Sequence, residues 1–165
     1  SNVESHIISL DKTFRIFKET MEKFQSDLAF ANSRSRLRML TLYQIAQSNN
    51  ALVIGTGNKV EDFGVGFYTK YGDGGVDISP IGDCSKTEVW ELGKQLNILK
   101  EIIEAPPTDG LWDDGRTDEG QLGLTYSEIE EAMDNEKSIN RDKYIKIRKA
   151  NLHKMDSIPV CKIPK

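Results

Sequence analysis

From Asp11 onward the apolar positions Phe14, Phe17, Met21 and Phe24 recur at spacings of three and four, which places them on one face of a helix. A second helical pattern covers residues 27 to 48, with Leu28, Ala29, Leu37, Leu40, Ile45 and Ala46 as its apolar members. The run "ALVIGTG" that follows is continuously apolar and ends in glycines, the pattern of a buried parallel strand entering a loop. Open α/β sheets bind their ligands at such carboxyl ends. "YGDGG" predicts a turn, and "VDISPI" a second strand with Val76, Ile78 and Ile81 facing inward. Ser85-x-x-Glu88 has the spacing of a capping box ahead of Val89, Trp90 and Leu92, so a helix is expected from Lys86 to about Leu96. "EAPPTDGLWDDGRTDEGQLG" shows no period and is expected to be a long surface loop. Thr125-x-x-Glu128 announces a short helix, and Arg141 to Met155 another, with Tyr144, Ile145, Ile147 and Leu152 as apolar members. The order of elements is that of part of an α/β fold.

Composition narrows the class. A chain of 165 residues suits one domain, 1–165, and 38% hydrophobic with 29% charged residues suits a globular protein. The formal net charge of −4 argues against a non-specific nucleic-acid binder, so a bound nucleotide has to meet local positive charge. Cys84 and Cys161 lie far apart without CxxC spacing, which fits a reducing, cytoplasmic setting. Nowhere do about 18 apolar residues run together, as a membrane span requires. The chain opens "SNVESHIISL", a Ser-Asn start that resembles a cleavage scar, and enters a helix with no preceding strand. We therefore expect a fragment of a longer domain.

The chemistry concentrates between residues 54 and 83, where glycines accompany Lys59, Lys70 and the carboxylates Glu61, Asp62, Asp73, Asp77 and Asp83. "GTGNKV" lacks the third glycine of the dinucleotide fingerprint, and no Walker A pattern occurs. His6 and His153 stand in no metal-ligand spacing. Two readings of the acidic stretch remain open: a solvated loop, or a phosphate-handling set in which glycines admit phosphate, lysines neutralise it and a carboxylate holds Mg²⁺. Arg34, Arg36 and Arg38 are open in the same way, as a solvated face or as bidentate phosphate contacts. Phe63, Phe67, Tyr68 and Tyr71 are expected to pack rather than to stack on bases.

The order of the motifs is specific. "NSRSRLRM", "GTGNKVE", "FYTKYGDGGVDISPIGD", "KTEVWELG", "PPTDGLW", "TDEGQLGLTYSEIE" and the terminal "HK" together resemble the NAD synthetase family, over about Leu28 to Lys154. The resemblance implies an adenine nucleotide alpha hydrolase-like fold, a parallel sheet flanked by helices, in a homodimer. The family's N-terminal strand and phosphate loop, S-G-G-x-D-S, are missing from the sequence, so the chain is expected to be the C-terminal portion of the synthetase domain and inactive alone. The implied activity is amidation of deamido-NAD to NAD, with ATP as co-substrate, Mg²⁺ as cofactor and ammonia as nitrogen donor.

Carried over residue by residue, the resemblance makes Arg36, Lys70, Asp77, His153 and Lys154 deamido-NAD contacts. Thr56, Lys86 and Thr108 become ATP contacts, and Glu61 the metal ligand. The chain carries one residue more than many relatives between Glu61 and Lys70, which leaves Asp62 as an alternative metal ligand. No side chain is needed as a nucleophile, and the segment 105–123 is expected to close over an adenylated intermediate. Two other readings remain: a different ATP pyrophosphatase of the GMP synthetase or asparagine synthetase type, against which "TKYGDGG" argues, and a non-catalytic dimerising module.

Overall fold

The computed structural model describes residues 3–164. Helix α1 (Asp11–Thr20) packs on α2 (Asp27–Ser48); α1 buries Phe14 as its spacing predicts, whereas α2 buries Phe30, Ala31, Ser35 and Ala46 and leaves Leu28 and Leu40, expected on its apolar face, exposed. Phe14 is buried edge-to-face against Phe30 at 6.4 Å, and the Arg34 guanidinium lies 4.8 Å from the Phe14 ring centre. α1 stops at Thr20, so Phe24 lies outside it and is 74% exposed. Ser26 opens α2 by accepting the Ala29 N–H, and Asn50, at φ 51°, turns the chain out of it.

Beyond the Gly-Thr-Gly loop a π-helical segment, Lys59–Val65, takes the place of the irregular backbone expected there. Asn58 starts it: Oδ1 accepts the N–H groups of Val60 and Glu61 at 3.0 and 3.1 Å, and the residue is 2% exposed. Gly66 ends it at φ 65°. A π turn holds more residues than an α turn, and such turns recur at functional sites.

Next come α3 (Lys86–Gln95), α4 (Lys100–Ile103), α5 (Asp118–Leu122), α6 (Tyr126–Asp134) and α7 (Arg141–Met155). Both expected capping boxes are present, Ser85 with Glu88 and Thr125 with Glu128. The core joins Val60 and Val65 of the π segment to Leu122, Leu124, Tyr126, Ile129, Ala132 and Tyr144. Fully burying one such aliphatic side chain contributes about 1.5–3 kcal/mol, so this contact anchors the π segment on α6 and α7.

Two expectations need correction. The parallel sheet is reduced, among the described residues, to one parallel bridge between Ile54 and Ile78. Gly55 N–H donates to Ile78 O at 2.7 Å and Asp77 N–H to Val53 O at 2.9 Å, but the Val53 N–H goes to the Asp77 carboxylate at 2.8 Å. A side chain thus takes the donor that the next ladder bond needs, and Leu52, Ile54 and Ile78 stay exposed at 64, 60 and 45%. The segment 105–123 is likewise not wholly irregular, because Thr117 caps α5 within it. Arg34 reaches Leu111 O and Asp113, and Arg38 reaches Asp109 O and Gly110 O, so α2 fastens this segment. Arg34 is thereby half-buried against this segment, whereas Arg38 stays exposed and also lines the cleft described below.

Candidate functional site

The Gly-Thr-Gly loop, the π segment, the start of α3 and the segment before α5 converge on a cleft of ≈ 640 Å³. Glycine leaves room in its wall at Gly57, where a Cβ would fall 2.1 Å from Asp62 Oδ2 and push that carboxylate aside. Only a bare backbone lets the Asp62 carboxylate lie across the loop. A larger groove of ≈ 970 Å³ opens between α3 and α4, lined by Trp90, Ile98, Ile103 and Pro106. It holds none of the residues singled out above, so the chemistry belongs to the smaller cleft.

Four of those residues, Thr56, Glu61, Lys86 and Thr108, line the cleft together. Asn58 fixes the N–H of Glu61, and the Ser85 cap sets Lys86 at the head of α3, so both ends of the pair are positioned by local hydrogen bonds. Lys86 Nζ donates to Glu61 Oε1 at 2.9 Å, with the two side chains 17 and 16% exposed. Tyr126 Oη donates to the same oxygen at 2.6 Å and lies 3.3 Å from Asp118 Oδ2. The Lys86 ammonium sits 4.7 Å from the centre of the Tyr126 ring. Thr108 Oγ1 donates to Arg116 O and accepts the Gly110 N–H, holding its loop in a closed turn.

Carboxylates outnumber cations in the cleft. Burial, then the charges of Glu61 and Asp73, push the Asp62 carboxyl up to about 6. Burial and the charges of Glu61 and Asp109 raise that of Asp118 as well. Asp118 is 7% exposed, and its Oδ1 is buried without a hydrogen-bond partner. Burial and the Glu61 charge raise the Tyr126 phenol further, so it keeps its proton and donates. No cluster of three or more His, Cys, Asp or Glu side chains stands ready to hold a metal among the described residues. Mg²⁺ is commonly held by one or two carboxylates together with phosphates. A half-buried Asp62, an unpartnered Asp118 oxygen and a Glu61 whose two hydrogen bonds both fall on Oε1 fit such a shared cation rather than a protein cage.

The dinucleotide set divides. Arg36 Nε donates to Lys70 O at 3.3 Å and Lys70 Nζ to His153 O at 2.6 Å, so these three form one group. Lys154 Nζ donates to Gly66 O and Tyr68 O at 2.8 Å each, and burial pushes its ammonium down while Asp73 pushes it back up. Asp77 stands apart, with its oxygens spent on Val53 N–H and the Tyr43 hydroxyl. The turn between the two groups is locked to α2 by Asp73, which accepts from Ser35 at 2.7 Å and from Thr69 N–H at 3.0 Å. Sequence reasoning gave no role to Ser35, Asn58, Asp118 or Tyr126. For Asn58 the signal is its capping-residue type ahead of the π segment; the partners of Tyr126 and Asp118 lie too far along the chain to read.

The NAD synthase family model matches residues 1–162. The NH(3)-dependent NAD(+) synthetase of Carboxydothermus hydrogenoformans is 43% identical over 133 residues, covering 78% of this chain and 54% of that protein. That of Archaeoglobus fulgidus is 41% identical over 167 residues, covering 98% of this chain and 66% of that protein. Among solved structures, the NMN synthetase from Francisella tularensis superposes with a TM-score of 0.89 at 34% identity, covering 98% of this chain and 68% of that one. The NH3-dependent NAD synthetase from Campylobacter jejuni gives 0.73 at 26% identity, covering 98 and 67%. The chain belongs to the NAD synthase family. It spans about half to two thirds of the length of the curated relatives it matches.

Proposed function

We propose that this chain carries the cation- and nucleotide-handling part of an ATP-dependent amidation that converts deamido-NAD to NAD with ammonia. The observation that carries the reading is the Lys86–Glu61 pair, held in one cleft with Thr56 and Thr108 in a member of this family. In the first step an oxygen of the nicotinate carboxylate attacks the α-phosphorus of ATP, and pyrophosphate leaves. In the second, ammonia attacks the activated carbonyl carbon, the bond to AMP breaks, and the nitrogen sheds its surplus proton to water. Lys86 would balance phosphate charge, Thr56 would donate a hydroxyl hydrogen bond that orients ATP, and Thr108 would do so on releasing Arg116 O. Mg²⁺, when held by Glu61 or Asp62 and phosphate oxygens, would supply charge neutralisation. Arg36, Lys70, His153 and Lys154 would take the dinucleotide, while Asp77, engaged within the chain, would contribute by holding the bridge between the two extended segments.

The test is calorimetric titration of the chain with deamido-NAD, with NAD for comparison, and with ATP in the presence of Mg²⁺. Saturable deamido-NAD binding that Arg36→Ala abolishes supports the reading; a folded chain that binds neither nucleotide overturns it. A second reading, with the nicotinate mononucleotide as the acceptor, draws on the Francisella neighbour named for NMN synthesis. Direct competition between mononucleotide and dinucleotide separates the two. We also propose a cytoplasmic homodimer, to be checked by light-scattering mass; among the described residues no helix is long and apolar enough to cross a membrane. The segment 105–123 would close over the adenylate and shield it from water. Shortening it in an active enzyme should lower the NAD made per ATP consumed, and an unchanged ratio and rate would remove that role.

A further inference from the structure

Tyr126 lies on the first turn of α6, and its ring belongs to the core, 1% exposed and edge-to-face with Trp90 at 6.1 Å. Packing alone would be served by phenylalanine. The hydroxyl instead reaches the cleft, where it meets two carboxylates at once, Glu61 Oε1 at 2.6 Å and Asp118 Oδ2 at 3.3 Å. A phenol has one proton to give. At these distances it goes to Glu61, and the longer contact leaves Asp118 poorly served, with its other oxygen buried and unpartnered. Glu61 at the same time accepts from Lys86, whose ammonium rests over the Tyr126 ring.

Resting on the function proposed above, we infer that Tyr126 is a positioning residue for Glu61. Its hydroxyl donates to Glu61 Oε1, leaving Oε2 for a cation, and it keeps that bond when a cation–phosphate ligand draws Glu61 and Lys86 apart. The argument follows from the number of donors. A ligand that brings a cation to Glu61 and phosphate to Lys86 breaks their ion pair and replaces both halves of it. Glu61 Oε1 then keeps the phenolic proton as its remaining donor within the chain, while Oε2, which accepts no hydrogen bond among the described residues, faces the cation. The rigid ring, fixed by Trp90 and the core, keeps the hydroxyl between the two carboxylates through the exchange. Hydrogen bonds of this kind behind a ligating carboxylate typically change metal affinity by about 10–100-fold.

The experiment compares ATP binding by calorimetry with Mg²⁺ and with EDTA, in wild type, Tyr126→Phe, Glu61→Gln and the double variant, each checked for folding by thermal unfolding. Tyr126→Phe should leave metal-free ATP binding within about twofold of wild type and reduce the Mg²⁺-dependent gain in affinity by about 10–100-fold. In the Glu61→Gln background the same substitution should add nothing, because it acts through Glu61. A gain that survives Tyr126→Phe overturns the inference. So do effects that multiply in the double variant, or a loss with and without metal that follows a fallen unfolding temperature. If wild type itself binds ATP with no Mg²⁺-dependent gain, the function proposed above fails first, and the inference with it.

Discussion

Replacing Asp62 by asparagine should stabilise the protein at neutral pH, an unusual expectation for a polar group in a cleft. Asp62 is half-buried beside Glu61 and lies across Gly57, so its charge is partly desolvated and among like charges. Its carboxyl rises from 3.8 to about 6. At about 1.4 kcal/mol per pH unit, reduced for the solvent that reaches the group, this corresponds to about 1–2 kcal/mol. For an acid whose folded value is raised, the folded state binds more protons than the unfolded one. Its favourable contribution is therefore complete below pH 3.8 and is lost as pH rises through about 6. Asparagine carries no charge at any pH. The difference in unfolding free energy, variant minus wild type, should accordingly be near zero in acid, grow between pH 4 and 6.5, and level off at about 1–2 kcal/mol by pH 7. Urea denaturation followed by circular dichroism, at half-unit steps of pH, measures that difference directly. A difference that is flat across pH, or that favours wild type at pH 7, would refute the reasoning.

Three further outcomes are expected. Lys86→Met leaves Glu61 buried with Tyr126 as its remaining donor and should cost about 3 kcal/mol at pH 7 in the same denaturation assay, since it strips one partner from a buried pair. Gly66→Ala imposes a side chain at φ 65° and sets a Cβ 2.7 Å from that of Asn151, so it should destabilise by at least about 1 kcal/mol. Faster amide hydrogen exchange along α7, which carries His153 and Lys154, should accompany that loss. Thr125→Ala removes the cap that accepts the Glu128 N–H at 3.2 Å and should cost about 1 kcal/mol, read as a lower unfolding temperature.

Helices with local signals were legible in the chain. α2 and α7 form where a helix is expected, although α2 exposes Leu28 and Leu40 of its expected apolar face, and α3 and α6 begin where S-x-x-E and T-x-x-E predict, because a capping box is satisfied within four residues. The π segment and α5 were not, since seven and five residues are too short to display a period. The sheet failed for a different reason. Apolar content was visible in "ALVI" and "VDIS", but strand pairing depends on where backbone donors go, and Asp77 takes the Val53 N–H. At the site, Thr56, Glu61, Lys86 and Thr108, which the family pattern singles out, line one cleft. That pattern could not show that Tyr126 meets Glu61, a contact across 65 positions that only the packing of α6 on the π segment creates.

The fastening of segment 105–123 to α2 has a kinetic side. Arg34 and Arg38 grip Leu111, Asp109 and Gly110 through main-chain carbonyls, and just one of the four bonds, to the 89% exposed Asp113, is an ion pair. Neutral acceptors feel little Debye screening, whereas exposed charges lose most of their attraction within about 10 Å at 0.1 M salt. Any opening of this segment should therefore depend on hydrogen-bond rupture and run at nearly the same rate in dilute buffer and in concentrated salt.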